Sequence, residues 1–349
     1  MKRRIIGLLL ILAVVVGSVV YVTVRDRTTV TILNGYLGGE KIGIFEDQDI
    51  QEILRKDYKL QLDYLKAGSI DMVNADHGGR NYLFPASQTA LELYEMEHGK
   101  PPQSEIIFNT PIVLYTWQEV LEAFINEGFV EEQNGVYAVD LLQLVEAIEA
   151  KTTWEDIGLP EYYRHISVGT TDPTKSNSGN MFAGLLANTL VGGTASMRNV
   201  QDVLPRLESI FERLGYMESS SADIFNSFIK TGTRPLIAGY ENQVLEYALE
   251  DPARWDKIKD QIVLLYPSPT VWSSHVYIAL DEAGRRGIEG LMDPEVQRLA
   301  WEAHGFRMSA QDLSVEAERF GVRGLAPRVT QVAPMPDAQT MDLIIKTLS

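Results

Sequence analysis

The chain has 349 residues, a formal net charge of −17 and no cysteine. The missing thiols exclude disulfides, thiolate metal sites and a lipid-modified cysteine anchor, and so acidic a field excludes nucleic-acid binding through a basic stripe. The length is about twice that of a typical domain, so two lobes are expected.

At the start, Lys2, Arg3 and Arg4 precede an uncharged run from Ile5 to Val24, and Arg25, Asp26 and Arg27 follow it. Such a run is long enough to cross a bilayer as one helix. With no A-x-A-like cleavage site at its end, it reads as an uncleaved single-pass anchor. Its basic tip then lies in the cytoplasm and everything after Thr28 lies outside. A cleaved signal is the alternative for residues 1–27.

Thr29 to Leu33 has a strand pattern and leads into a glycine-rich turn holding Gly38, Gly39, Glu40 and Lys41. Open α/β sheets bind ligands at such carboxyl ends of strands, where glycine lets backbone approach closely. A helix follows over 49–57, then a strand over 59–64, then Ser69 at the start of a short helix, as its cap or as a ligand hydroxyl. Ser87 starts the helix that carries Leu91 and Tyr94, and residues 106–117 form an apolar strand interrupted by Pro111. Alternating βα units to this point predict a mainly parallel, doubly wound sheet.

Amphipathic helices are expected over 118–127, 140–151 and 202–214. Between the last two stands 166–190, ISVGTTDPTKSNSGNMFAGLLANTL. A strand-like start passes through a polar loop into a helix with Met181, Leu185, Leu186 and Leu190 on its apolar side. First-turn N–H groups and the positive end of the helix dipole attract an anion or a carbonyl oxygen. Hydroxyls of Thr174, Ser176 and Ser178 can join them. The alternative is that Ser176, Asn177 or Ser178 only caps the helix. Ser219, Ser220 and Ser221 mark another helix start, and Gly239 to Gln243 is a second polar loop running into a helix. There Tyr240 can stack on or hydrogen-bond a solute, while Glu241 and Asn242 can accept or donate. Two strands over 261–280 bring the chain back, and 294–304 is helical. The five histidines are scattered singly, so no metal site is expected.

With these residues in place, the chain resembles the type II extracellular solute-binding proteins of ABC-type importers. The segments that carry the likeness are Gly38–Lys41, Lys66–Val73, Ser104–Tyr115, Thr170–Asn180, Gly239–Gln243, Tyr266–His275 and Trp301–Arg307. The resemblance implies a two-lobed α/β periplasmic-binding-protein fold with a hinged interlobe cleft. One lobe is 28–112 with 266–349, the other 113–265, joined by extended crossings near 105–117 and 262–280. It further implies a small polar solute, an oxyanion by preference, an ABC-type permease or neighbouring membrane complex as partner, no cofactor and no catalysis. The residues expected at the ligand are Gly39, Glu40, Ser69, Thr174, Ser176, Asn177, Ser178, Gly179, Tyr240 and Glu241. In oxyanion binders of this group, loops at helix starts hold the ligand by N–H groups and hydroxyls, which the loop Thr174–Gly179 resembles. Glu40 and Glu241 depart from that pattern, because an unpaired carboxylate beside an anion is unfavourable. They leave room for a cationic or neutral ligand, or for a sensor or interaction protein without transport. A cell-surface hydrolase ranks below these, since no G-x-S-x-G motif and no Ser–His–acid order is present.

Overall fold

A computed structural model describes residues 29–232, 234–308 and 317–349. The expected anchor, including the membrane run 5–24, lies outside the described residues. Among the described residues no helix is long and apolar enough to cross a membrane.

The described strands form one ten-stranded sheet. In chain order they are β1 (Thr31–Leu37), β2 (Leu60–Lys66), β3 (Tyr82–Phe84), β4 (Gln103–Trp117), β5 (Val130–Gln133), β6 (Val136–Val139), β7 (Leu236–Tyr240), β8 (Ile262–Pro267), β9 (Thr270–Ala279) and β10 (Val332–Ala333). The order across the sheet is β2-β1-β3-β9-β4-β8-β6-β5, with β7 also on β4 and β10 on β9. β1 is parallel to β2 and β3, but β9 is antiparallel to both β3 and β4. The sheet is therefore mixed rather than mainly parallel. Its antiparallel centre arises because the chain crosses in one direction along β4 and returns along β8 and β9.

β4 is the backbone of the molecule. Residues 103–111 pair with β9, whereas 112–117 pair with β7 and β8. Pro111, which has no N–H to donate, stands at this change of partner, opposite Trp272. The strand runs on through it, because the ladder bond that proline lacks falls where pairing switches.

Alternation along β1, β3 and β9 explains the layers on one side of that crossing. Leu33, Leu37, Tyr82, Phe84, Tyr277 and Ala279 point to one face, where helices Gln48–Asp57, Glu282–Leu291 and Pro294–His304 supply Ile50, Leu54, Ile288, Leu291, Val296 and Ala300. Leu83, Val276 and Ile278 point to the other face and meet Met72, Val73, Ala90 and Tyr94. Beyond the crossing, a larger core gathers around Ile112–Trp117, Phe182, Leu186, Phe228 and Ile262–Leu265.

The end of the chain departs from the expected lobe assignment. Ala317, Phe320, Leu325, Met341 and Ile344 belong to the larger core, not to the cores around β1–β3. Helix Ala338–Thr347 packs on Asn177–Val191 and Leu204–Leu214, yet also on Gln88–His98 across the divide. Its first N–H donates to Glu92 Oε2 at 2.8 Å. This final helix straps the two halves together.

Candidate functional site

A cleft of about 530 Å³ separates the halves. The carboxyl ends of β1, β2 and β7 open onto it, through Gly38–Glu40, Ala67–Ser69 and Tyr240. Three helices begin at the same space: Asn177–Val191 behind Ser176, Ser221–Thr231 behind Ser220, and Glu241–Glu250 behind Tyr240, the last then running along it. Neither Ser176 nor Ser220 accepts from a first-turn N–H through its side chain, although Ser176 Oγ lies 3.1 Å from Ser178 Oγ. Their positions are those of caps, but the first-turn N–H groups remain to be satisfied.

Of the ten expected residues, Gly39, Glu40, Ser69, Ser176, Asn177 and Tyr240 line this cleft. Ser69 Oγ accepts from Ala86 N at 2.9 Å. Asn177 Nδ2 reaches across to Ala86 O at 3.1 Å and to Tyr240 Oη at 3.0 Å, so it ties the two walls together. Burial and the nearby Glu40 charge push the Tyr240 hydroxyl far above its usual pKa.

The other four face elsewhere. Thr174 donates from N and Oγ1 to Asp172 Oδ1 at 2.9 and 2.6 Å and lies in a small neighbouring recess. Ser178 is buried with its Oγ 2.8 Å from Thr171 Oγ1. At Gly179 a Cβ would overlap Thr171 O, so glycine here permits close packing of helix on loop. Glu241 has no exposed surface; it pairs with Arg307 and accepts from Tyr266 Oη, on the side away from the cleft. The next residue, Asn242, lines the cleft instead. It is fully buried, and neither its Nδ2 nor its Oδ1 has a partner among the described residues.

Glu40 does not stand as a bare carboxylate. Lys41, wholly buried behind it, bonds Glu40 Oε1, and its Nζ lies 2.9 Å from His275 Nδ1 and 4.9 Å from the Phe84 ring centroid. Burial alone would raise the Glu40 pKa, but the Lys41 charge holds it well below the usual carboxylate range. Burial and Lys41 bring His275 down to about 4, with Glu40 opposing only in part. His275 is therefore neutral at pH 7. Its Nδ1 accepts from Lys41, which leaves the Nε2 proton toward Ser273 Oγ at 3.5 Å. Such tautomers are assigned from the hydrogen-bond network. The cluster makes Glu40 a neutralised wall, not a repulsive one.

A second cluster bridges the halves at the cleft's edge. His304, in the last turn of Pro294–His304, places Nδ1 2.7 Å from Glu246 Oε1 and Nε2 3.1 Å from Asp47 Oδ2. At Gly43 a Cβ would overlap the Glu246 carboxylate, so glycine there makes room for the clasp. Burial works against the imidazolium, but Glu246 and Asp47 outweigh it and raise the His304 pKa above 6.5. A raised folded-state value stabilises most below the unfolded value and loses that contribution as pH rises through the folded one. We therefore expect His304→Gln to cost about 1–2 kcal/mol at pH 6, with the gap closing toward pH 9. Urea unfolding of both proteins across that range checks this, and a gap that does not narrow refutes it.

No protein-family model matches the chain, and no curated protein matches it. Solved structures do. The sulfate-binding protein SubI from Mycobacterium tuberculosis H37Rv is 14% identical with a TM-score of 0.55, over 92% of this chain and 96% of that one. Apo ferric ion-binding protein A from Pasteurella haemolytica is 13% identical with a TM-score of 0.59, over 91% and 96%. The periplasmic binding protein AfuA from Actinobacillus pleuropneumoniae, with fructose-6-phosphate bound, is 11% identical with a TM-score of 0.54, over 90% and 96%. The fold is that of the type II periplasmic binding proteins.

Proposed function

We propose that the chain is an extracytoplasmic solute receptor that holds a small polar solute in the cleft and delivers it to an ABC-type permease. The observation that carries this is the convergence of three strand ends and three helix N-termini on one cleft of about 530 Å³. First-turn N–H groups of Asn177–Val191 and Ser221–Thr231 that lack a side-chain acceptor, with the helix dipoles, favour an acidic group there. The hydroxyls of Ser176 and Ser220 add donors, and neutralisation of Glu40 by Lys41 removes the main objection to an anion. Known binders of sulfate, ferric ion and fructose-6-phosphate share the fold, which supports a binding role without naming this solute. Closure is assigned to bending where β4 changes partners and where β8 gives way to β9. The extracytoplasmic placement and the membrane attachment rest on the run 5–24 of the sequence.

The test is thermal unfolding against sulfate, molybdate, tungstate, phosphate, sugars, sugar phosphates, polyamines, amino acids and divalent metals. A specific solute at a hundred times its Kd stabilises the fold by about 2.7 kcal/mol. Ser176→Ala should weaken that solute about tenfold if its hydroxyl donates to an ionised group. Absence of any shift across the panel, or a shift that Ser176→Ala and Asn242→Ala both leave intact, would overturn the proposal.

A further inference from the structure

Resting on that reading of the cleft, we infer that its solute is a small zwitterion, an acidic head group followed a few bonds away by a protonated amine. The first ground is Asn242. Its amide is fully buried against the cleft with both polar atoms unpaired. Such a group is costly unless something supplies its hydrogen bonds. Nδ2 requires an acceptor and Oδ1 requires a donor. A fully ionised tetrahedral anion offers acceptors only and leaves Oδ1 unmatched. An occupant that carries a donor as well as acidic oxygens matches both atoms.

The second ground is the charge gradient along the cleft. Lys66 lines it with the helix N-termini and favours an acidic head, while Lys175, also at the cleft, is paired with Asp172 at 2.9 Å. Asn242, Glu246 and Glu250 line it at four-residue spacing along one helix, so they share a face and stand about 6 Å apart in succession. Glu246 is matched by His304, whereas Glu250, further along, forms no ion pair among the described residues. The hydroxyl of Tyr247, also at the cleft, has no partner either. The opposite wall repeats the gradient. A Cβ at Gly39 would lie 3.2 Å from Lys66 Nζ, and four residues on, a Cβ at Gly43 would overlap Glu246 Oε1. Lys66 and Glu246 thus stand roughly 6–8 Å apart, one short helical turn, and the unpaired Glu250 lies about one turn beyond Glu246. Asp71, exposed at the lip, is a carboxylate near the cationic pole that forms no ion pair among the described residues. A lone oxyanion would fill one pole and leave the other facing empty space, while an acid and an amine on one short skeleton fill both.

The experiment is calorimetric titration of the full chain with two zwitterions, O-phosphoethanolamine and γ-aminobutyrate. Sulfate, glycerol 3-phosphate and ethanolamine serve as single-pole comparisons. At least one zwitterion should bind tenfold or more tightly than every single-pole compound. Glu250→Gln, at an exposed position that folding tolerates, should lower that zwitterion's preference over glycerol 3-phosphate about tenfold. Equal or tighter binding of sulfate or glycerol 3-phosphate would overturn the zwitterion and leave the solute receptor standing. Failure of both zwitterions to bind would overturn it too, the receptor then being judged on the wider panel. A preference unchanged in Glu250→Gln would overturn the assignment of the anionic pole.

Discussion

Arg307→Met is expected to destabilise the protein by about 3–5 kcal/mol, because it strands the buried charge of Glu241. Arg307 is 3% exposed and Glu241 is not exposed at all. The guanidinium grips Glu241 through Nε and Nη2, and the same Nη2 also donates to Ala326 O. Nη1 donates to Pro327 O at 3.3 Å. Tyr266 Oη donates to Glu241 and accepts from Ala326 N at 3.0 Å. Burial opposes the Arg307 charge, but Glu241 and Tyr266 outweigh it and raise the pKa further. Removing both charges is a different experiment. Arg307→Met with Glu241→Leu should recover more than half of the loss, since two matched charges leave together and apolar packing replaces them. Urea unfolding reads this as a midpoint that falls in the single variant and partly returns in the double, with an unchanged slope. A single-variant loss below about 1 kcal/mol, which is typical of a surface pair, would show that the pair is not buried as described.

This pair also explains why part of the site was hidden in the sequence. Gly239–Gln243 is legible as a polar loop entering a helix, and Tyr240 does line the cleft. The choice between the neighbours Glu241 and Asn242 was not legible. Successive helical residues point about 100° apart, so only one of the two can face the solute. Which one does depends on Arg307, 66 residues further along the chain, and no local pattern announces it. Lys41 and His275 were concealed in the same way, being 234 residues apart in sequence and 2.9 Å apart in space. Local chemistry was more visible: helix Pro294–His304 begins and ends where its proline and final polar turn place it. The hairpin of β5 and β6 is a miss of another kind. Asn134 and Gly135, both with positive φ, form a strong turn signal. The turn signal is local and short, and the helical periodicities on either side of it dominate that stretch of the sequence. The mixed sheet could not be read from alternation at all, because strand direction depends on long-range crossing.

The same dependence on distant partners governs Lys41→Met, whose cost should reach about 3–5 kcal/mol near pH 7. The substitution keeps the aliphatic stem over Phe84 but leaves Glu40 buried beside a neutral imidazole. What distinguishes this loss from simple misfit is its pH dependence. In the parent protein the Glu40 pKa is depressed, so its contribution is present above the unfolded value near 4.5 and is lost only as pH falls through the folded one. Without the ammonium, burial raises the Glu40 pKa, and His275 is freed from the cation that helped hold it at about 4. A proton taken up by either group then restores neutrality between them, 3.5 Å apart. The variant should accordingly gain on the parent as pH falls from 7 toward 4.5, and the stability gap should narrow by at least half. Urea unfolding at several pH values measures it, and a gap constant with pH would mean that lost packing, not a stranded carboxylate, accounts for the cost. If the gap narrows as expected, Lys41 is what permits an acidic residue to line a cleft whose helix dipoles favour an anion.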